Sequence, residues 1–171
     1  MKQKISILLL ATYIFLCPKI SAQGKYTSTF KRLIGTTFSN EKHIAGLPGY
    51  KFTQGELITD IRYWEAQFID VYVKGTTAVV IYSSQIDSAV KKYAIIDIIE
   101  IKGILKDWDV KTTGCMYGQT EGEIIVALVK RGSKQYAAAV KKAWLCNRDK
   151  LRFEEIAAGN IKCLNEGEAN E

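Results

Sequence analysis

Two stretches of this sequence are largely apolar on both of the faces that a β-strand would present. They are Tyr93–Ile101 and Ile124–Val129. A strand with one face in water alternates between apolar and polar residues, whereas a nearly continuous apolar run is typical of a strand covered on both faces. The sequence therefore predicts a sheet with further layers packed against each of its sides.

Two hairpins are predicted around these runs. Phe68–Val73 alternates in the strand pattern, Lys74–Gly75 forms a tight turn, and Thr77–Tyr82 is rich in β-branched residues. The second hairpin joins Lys142–Asn147 to Leu151–Ile156 through a short polar turn. Since short connections of this kind join antiparallel neighbours, the sheet is expected to be mainly antiparallel.

Helical signals are short. Ser28 or Thr27 can cap a short helix that Gly35 ends. Gln135–Leu145 is ambiguous, because its alanines favour a helix while its last residues belong to the second predicted hairpin. We expect the change from helix to strand near Lys141.

The fold class that follows is α+β, with a mainly antiparallel β-sheet and one or two short helices. A β-sandwich is the alternative. Residues 23–171 contain no linker-like stretch and are long enough to bury a core, so we expect a single domain.

Residues 1–22 have the three parts of a cleavable signal peptide. Lys2 and Lys4 form a positive start, Ile5–Cys17 is uncharged and mostly apolar, and small residues precede a cleavage site near Ala22 or Gln23. The apolar part is shorter than the roughly 20 residues that a transmembrane helix needs. The sequence predicts a secreted or periplasmic protein with no transmembrane segment.

Charge argues against a nucleic-acid partner. Three of the 24 basic residues lie in the predicted signal peptide, and no acidic residue precedes Glu41. The mature chain therefore carries 21 basic and 18 acidic residues, a formal charge of +3. A nucleic-acid-binding domain is expected to be much more basic on one face.

Three cysteines follow the predicted signal peptide, and an oxidising compartment favours one disulfide with one remaining thiol. Closing the Cys115–Cys163 loop is worth about 4 kcal/mol and closing the 146–163 loop about 3, a difference too small to choose the pair. Cys146 shares a strand face with Trp144, which predicts a buried thiol, so we favour Cys115–Cys163. No metal site is expected, because the sequence has no CxxC motif and its only histidine is His43.

The C-terminal part resembles small uncharacterised exported bacterial proteins. The resemblance is carried by Ile125–Val129, Lys142–Trp144, Phe153–Ile156, Ile161–Cys163 and Asn165–Gly167. It implies no particular activity, and it is consistent with a structural role for Cys163.

Few residues suggest catalysis. His43 is the only candidate for a base that titrates near neutral pH, and no GxSxG, phosphate-loop or dinucleotide motif accompanies it. Asp97 interrupts an apolar run at a position where simple alternation puts its side chain on the same strand face as Tyr93, Ile95 and Ile99. It is therefore either a buried, paired acid or an acid that a bulge turns to solvent. Of these we expect the bulge, with Asp97 facing solvent. No cofactor is expected.

Two sets of side chains could bind a partner. Exposed aromatic side chains could stack on sugars or anchor a protein, although burial in the core is the commoner fate. The aromatic residues concentrated early in the mature chain are Tyr50, Phe52, Tyr63, Trp64, Phe68 and Tyr72. We single out Tyr63 and Trp64 as binding candidates. Basic residues surround the second hairpin and would suit an acidic partner if they do not merely form a solvated face. They are Lys130, Arg131, Lys134, Lys141, Lys142, Arg148, Lys150 and Arg152.

The leading functional hypothesis is a non-catalytic, secreted or periplasmic binding module for a protein partner or an envelope glycan, as in inhibitor or immunity proteins. A small envelope hydrolase that uses carboxylates such as Asp97 or Glu65 is the first alternative, and a structural envelope component is the second. An enzyme should show a cleft in which two catalytic groups converge, whereas a binder should show accessible aromatic surface.

Overall fold

The computed structural model describes residues 28–39, 44–58, 65–118, 123–137 and 139–165. Within them, one helix and eleven strands follow in the order α1 (Ser28–Lys31), β1 (Thr37–Phe38), β2 (Lys51–Ile58), β3 (Gln67–Lys74), β4 (Thr77–Asp87), β5 (Lys92–Lys102), β6 (Trp108–Lys111), β7 (Cys115–Tyr117), β8 (Ile125–Lys130), β9 (Ala139–Asn147), β10 (Arg152–Ile156) and β11 (Ile161–Cys163). The predicted signal peptide lies outside the described residues. No helix among those residues has the length and apolar character needed to cross a bilayer.

The strands form two main sheets and a small ribbon. The first sheet has the order β1-β5-β4-β3-β2, the second β10-β9-β8-β6, and β7 pairs with β11 in the ribbon. All of these pairings are antiparallel, which confirms the predicted sheet type. The α+β class is not confirmed, because helical structure in the described residues amounts to α1 and the single 3-10 turn Ala158–Asn160.

The two main sheets face each other across a shared hydrophobic cluster, which we call the inner core. The first sheet contributes residues such as Ile69, Val80 and Ile99, and the second contributes Val126 and Leu128. This arrangement is closer to the sandwich alternative than to a sheet covered by helices.

Each main sheet is also covered on its outer face. Phe30 and Leu33, from α1 and the turn after it, pack with Leu47 onto Val79 and Ile81 of the first sheet. Apolar burial on both faces is the reason why β4 and β5 carry so few polar residues. The double coverage predicted for Tyr93–Ile101 is confirmed.

The ribbon covers the second sheet in the same way. Ile161 and Cys163 of β11 lie in one cluster with Ile125, Ala127 and Val129 of β8. The opposite face of β8 contributes to the inner core. The double coverage predicted for Ile124–Val129 is therefore confirmed as well.

The first predicted hairpin is confirmed, while the helix predicted before the second is wrong. Lys74 pairs with Thr77 across a turn in which Gly75 has φ 59°, a backbone conformation that glycine adopts without strain. In the region of Gln135–Leu145 the strand β9 begins at Ala139 rather than near Lys141. Pairing with β8 outweighs the helix propensity of the alanines, because tertiary contacts override intrinsic propensity.

Side chains join the two main sheets along their edges. At one seam, Asp97 of β5 accepts a hydrogen bond of 2.7 Å from the main-chain N–H of Phe153 in β10. At the other seam, the Gln54 side chain in β2 donates to the Val110 carbonyl in β6 at 2.9 Å. The sheets therefore enclose the inner core as a flattened, barrel-like body.

Candidate functional site

A groove of about 350 Å³ opens on the outer face of the first sheet, beside the cover formed by α1 and the loop after it. We call it the aromatic groove. Its lining residues come from β1, β2, β3, β5 and the β4–β5 turn: Phe38, Phe52, Gly55, Glu56, Leu57, Phe68, Asp70, Lys91 and Tyr93. Leu57 at its rim is 52% exposed, so apolar surface is accessible there.

Three aromatic rings form one continuous wall of the groove. Phe38 stacks on Tyr93 with 5.3 Å between ring centroids, and Phe68 meets the same tyrosine edge-on at 5.1 Å. Phe52 packs edge-on against the buried Tyr72 at 5.7 Å, which fixes a fourth ring on the β2 side. Because these rings support one another, they present a rigid surface that needs little ordering when a ligand binds.

Asp70 and Gly55 form the polar part of the groove. They are direct cross-strand partners, and Asp70 is 5% exposed. A methyl group at Gly55 would lie 2.5 Å from Asp70 Oδ1 and 3.0 Å from Phe52 Cζ. A side chain at this strand position would therefore displace the Asp70 carboxyl group or the Phe52 ring, which both converge on the place where it would begin.

Glu56 also borders the groove, but its side chain belongs to the other face of the sheet. It pairs with Ile69, whose side chain lies in the inner core. Its charge contributes to raising the pKa of Cys146, which is likewise an inner-core residue. The Glu56 and Asp70 carboxyl groups therefore do not face each other as an acid–base pair for glycoside cleavage would.

A second cavity, of about 450 Å³, lies next to the loop 44–50 and Tyr72. Lys74 contacts the same loop: its ammonium group donates to the Pro48 carbonyl at 3.0 Å and lies 5.8 Å from the centre of the Tyr50 ring. No acidic or basic side chain lines this cavity among the described residues. This cavity therefore has fewer side chains that could recognise a polar ligand than the aromatic groove has.

The structure brings together part of the aromatic set considered from the sequence. Phe52 and Phe68 line the groove, while Tyr72 is fully buried behind them. Tyr63 and Trp64, which come between β2 and β3 in the sequence, lie outside the described residues. His43, which comes before β2, also lies outside them. The proposal that Tyr63 and Trp64 bind a partner therefore remains a prediction.

Asp97 does not face solvent, so that expectation is wrong. A bulge does occur here, since the β4–β5 register shifts between Tyr82 and Ser83. The bulge places Ile95 on the outer face and Asp97 on the inner face, where Asp97 is 4% exposed. Its two oxygens accept main-chain N–H groups, Oδ1 from Ile98 at 2.9 Å and Oδ2 from Phe153 at 2.7 Å.

Glu65, the other acid named for the hydrolase alternative, accepts a hydrogen bond of 2.8 Å from the Ser84 hydroxyl. Neither Glu65 nor Asp97 lines the aromatic groove. The described residues contain no group of three or more His, Cys, Asp and Glu side chains that could hold a metal ion.

The predicted disulfide joins Cys115 and Cys163, which are direct cross-strand partners in the ribbon. Cys115 is the first residue of strand β7. Cys146 is the buried free thiol that its shared face with Trp144 predicts, and burial raises its pKa to about 12. Such a thiol is protonated at neutral pH and has little nucleophilic character.

Several of the basic residues around the second hairpin are paired. Lys130 and Arg131 approach Asp107 and Asp109, each at 3.4 Å. Lys150 and Arg152 both contact Glu154, at 2.9 and 2.6 Å. Arg148 donates to Gln67 Oε1 at 2.7 Å. This hairpin therefore presents mixed charge rather than a uniformly basic face.

Sequence reasoning missed most of the groove residues, among them Phe38, Tyr93, Asp70 and Gly55. Phe38 and Tyr93 meet only through the pairing of β1 with β5, a long-range contact that no local pattern reveals. Asp70 and Gly55 carry a readable signal, since an acid inside an apolar strand and a glycine inside a strand both mark special positions. Their pairing still depends on the β2–β3 register.

The fold and the groove define a two-sheet antiparallel β protein with an aromatic groove that contains a carboxyl group. No protein-family model, no curated protein and no solved structure matches this chain.

Proposed function

We propose that this protein is an exported, non-catalytic binding module whose aromatic groove takes one unit of an envelope glycan. The observation that carries the proposal is the groove itself, in which a wall of mutually supported rings lies beside one carboxyl group. Aromatic faces with a few polar groups are the usual lining of small-ligand sites. A concave groove of this size suits a small unit better than the flat core of a protein–protein interface.

Among the residues that the structure describes, the acids nearest the groove lie on opposite faces of the first sheet, which favours binding over hydrolysis. Asp70 belongs to the groove face of the sheet, while Glu56, Asp97 and the Cys146 thiol belong to the inner-core side. Two-carboxylate hydrolysis needs both groups about 5–9.5 Å apart on one cleft. The hydrolase alternative would have to recruit a partner for Asp70 from outside the described residues.

Gly55→Ala tests the groove. The added methyl group must displace Asp70 Oδ1 or the Phe52 ring, so binding of soluble peptidoglycan and polysaccharide fragments should weaken at least about tenfold. Gly159→Ala is the matched control, because its methyl group meets nothing within 4 Å. Binding can be followed by amide chemical shifts, with the largest changes expected at Gly55, Leu57 and Tyr93.

Two results would count against this proposal. One is a set of shift changes that maps away from the groove, as a protein-binding face elsewhere would give. The other is cleavage of the added fragments by the purified protein. The export part is tested separately by N-terminal sequencing of the native product, which should begin near Gln23 or Gly24. An intact Met1 in a cytosolic fraction would contradict export.

A further inference from the structure

One end of the second sheet gathers basic side chains around a tryptophan. Strand β6 begins there, β8 ends there and β9 begins there, because Lys130 pairs with both Trp108 and Ala139. We call this region the basic end. Its charged residues are Lys106, Asp107, Asp109, Lys130, Arg131, Lys141 and Lys142. Five of these are basic and two are acidic, so this small region carries a formal charge of +3, as much as the whole mature chain.

The sheet and the Trp108 ring hold these cations in place. The ring packs against the inner core, and the Lys141 ammonium lies over it, 5.6 Å from its centre. A cation over an indole face is attracted to it. Lys142 pairs directly with Leu128, and Lys130 follows Leu128 by two residues on the same strand face. The lysines are therefore positioned side by side rather than on separate loops.

Three of these cations have no acidic partner. Lys130 and Arg131 make the exposed ion pairs with aspartates described above, which are weak because solvent screens them. Within the described parts of the chain, no acidic side chain pairs with Lys106, Lys141 or Lys142, and all three are exposed. Their ammonium groups are therefore accessible to an anionic partner.

An exposed leucine lies beside these ammonium groups. Leu105 is 58% exposed, in a turn that a hydrogen bond of 3.0 Å from the Trp108 N–H to the Leu105 carbonyl closes. A soluble anionic polymer would contact the lysines and gain nothing from the leucine. A lipid surface gains from both, because the leucine can enter the acyl boundary while the lysines contact anionic headgroups.

We infer that the basic end docks on an anionic lipid surface. The inference is independent of the aromatic groove, which lies on the outer face of the first sheet. The β4–β5 turn is a useful comparison, since Val90 is 62% exposed there beside Lys91 and Lys92. That turn also carries Asp87, so its formal charge is only +1. It matches the basic end in apolar exposure and differs from it in charge.

Sedimentation with lipid vesicles tests the inference. The purified mature protein is mixed with vesicles of phosphatidylcholine alone or of phosphatidylcholine with an equal amount of phosphatidylglycerol. We expect binding to the anionic vesicles to be about 100-fold tighter, because a net charge of +3 contributes about 1 kcal/mol per basic residue near an anionic surface. The preference should largely disappear when the salt concentration is raised from about 0.05 to about 0.5 M, since salt screens exposed charges.

Two variants and two matched controls locate the docking surface. Lys142→Gln removes one exposed charge and should weaken binding to anionic vesicles about fivefold. Leu105→Ser should weaken it at least about threefold, through the loss of apolar contact. Lys92→Gln and Val90→Ser make the same changes in the β4–β5 turn and should alter binding less than about twofold. Circular dichroism checks that each variant is folded.

Three results would overturn the inference. The first is equal binding to the two kinds of vesicle. The second is an equal loss of vesicle binding in Val90→Ser and Leu105→Ser. The third is vesicle binding that Leu105→Ser leaves unchanged and that dextran sulfate matches, because the partner would then be a soluble anionic polymer. Glycan binding in the aromatic groove should persist in Lys142→Gln and Leu105→Ser, so the failure of this inference is distinguishable from that of the proposed function.

Discussion

Replacing Asp97 by asparagine should destabilise the protein strongly without affecting the groove. Asp97 holds one end of the seam between the two main sheets, with Oδ1 accepting from Ile98 N–H and Oδ2 from Phe153 N–H. Asparagine retains a single oxygen, so one buried N–H would face an amide NH₂ group. The loss of a hydrogen bond to a charged group is worth about 1.5–3 kcal/mol, and a buried unsatisfied donor costs about 1–3 kcal/mol. Because the two ranges partly describe the same lost hydrogen bond, they do not add in full. We expect the free energy of unfolding to fall by about 3 kcal/mol in total.

Asp109 provides a matched control. Its Oδ1 accepts from the N–H of the next residue, Val110, at 2.9 Å, just as Asp97 accepts from Ile98. Its other oxygen makes only an exposed ion pair with Arg131, at 3.4 Å. Water can replace these contacts, so Asp109→Asn should cost no more than about 1 kcal/mol.

Urea unfolding of the two variants measures the difference. With an m-value of about 2 kcal/mol/M, a difference of about 2 kcal/mol lowers the midpoint of Asp97→Asn by about 1 M relative to Asp109→Asn. The thermal midpoint should fall by about 4–8 °C relative to the same control. Glycan binding by folded Asp97→Asn should be unchanged, because Asp97 does not line the groove. Stabilities of the two variants within about 0.5 kcal/mol of each other would refute the seam argument, since that is the usual error of additivity.

Three further predictions concern the cysteines and the acid dependence of stability. Replacing both Cys115 and Cys163 by alanine opens a loop with a sequence separation of 48 and should lower the free energy of unfolding by about 4 kcal/mol, measured in urea; a loss below about 1 kcal/mol would contradict this. Cys146, with its pKa raised to about 12 by burial, should react with a thiol reagent only at the rate of unfolding, and rapid labelling of native protein would show the site to be open. The pKa of Glu154 is lowered from 4.5 to about 2, mainly by a hydrogen bond from Arg152. The ionised Glu154 side chain therefore contributes its full stabilisation of the folded state above pH 4.5, and this contribution is lost as the pH falls towards 2. Glu154→Gln should therefore flatten the pH dependence of stability in that window, by a small amount because solvent screens the pair, and an unchanged slope would contradict it.

The parts of the fold that follow from local pattern were predictable from the sequence. The β3–β4 hairpin is specified by alternating residues around Gly75, and the double coverage of β5 and β8 follows from their apolar character on both faces. The disulfide pairing followed from the direction of the Cys146 side chain. These features depend on the period of the side chains within single strands.

Features that depend on register between distant strands were not predictable. The bulge between β4 and β5 interrupts the alternation of side chains along β5. Ile95 and Asp97 therefore lie on opposite faces of the sheet, although simple alternation would put both on the same face. The start of β9 at Ala139 depends on its pairing with β8. The groove depends on both the β1–β5 and the β2–β3 pairings. A local pattern cannot contain this information, because each strand is compatible with several registers.

Asp70 and Asp97 show that the register between strands decides which layer of the protein a side chain faces. Both are acids inside apolar strands, and both are almost completely buried, at 5% and 4% exposed. Asp97 faces the seam, where the two main-chain N–H groups that it binds make it part of the structure of the protein. Asp70 faces the outer side, where Gly55 has no side chain and the rings of Phe52 and Phe68 complete a groove. The same residue type in the same local pattern thus closes the inner core in one strand and lines the aromatic groove in the other, and the difference comes from which layer of the molecule each strand face meets.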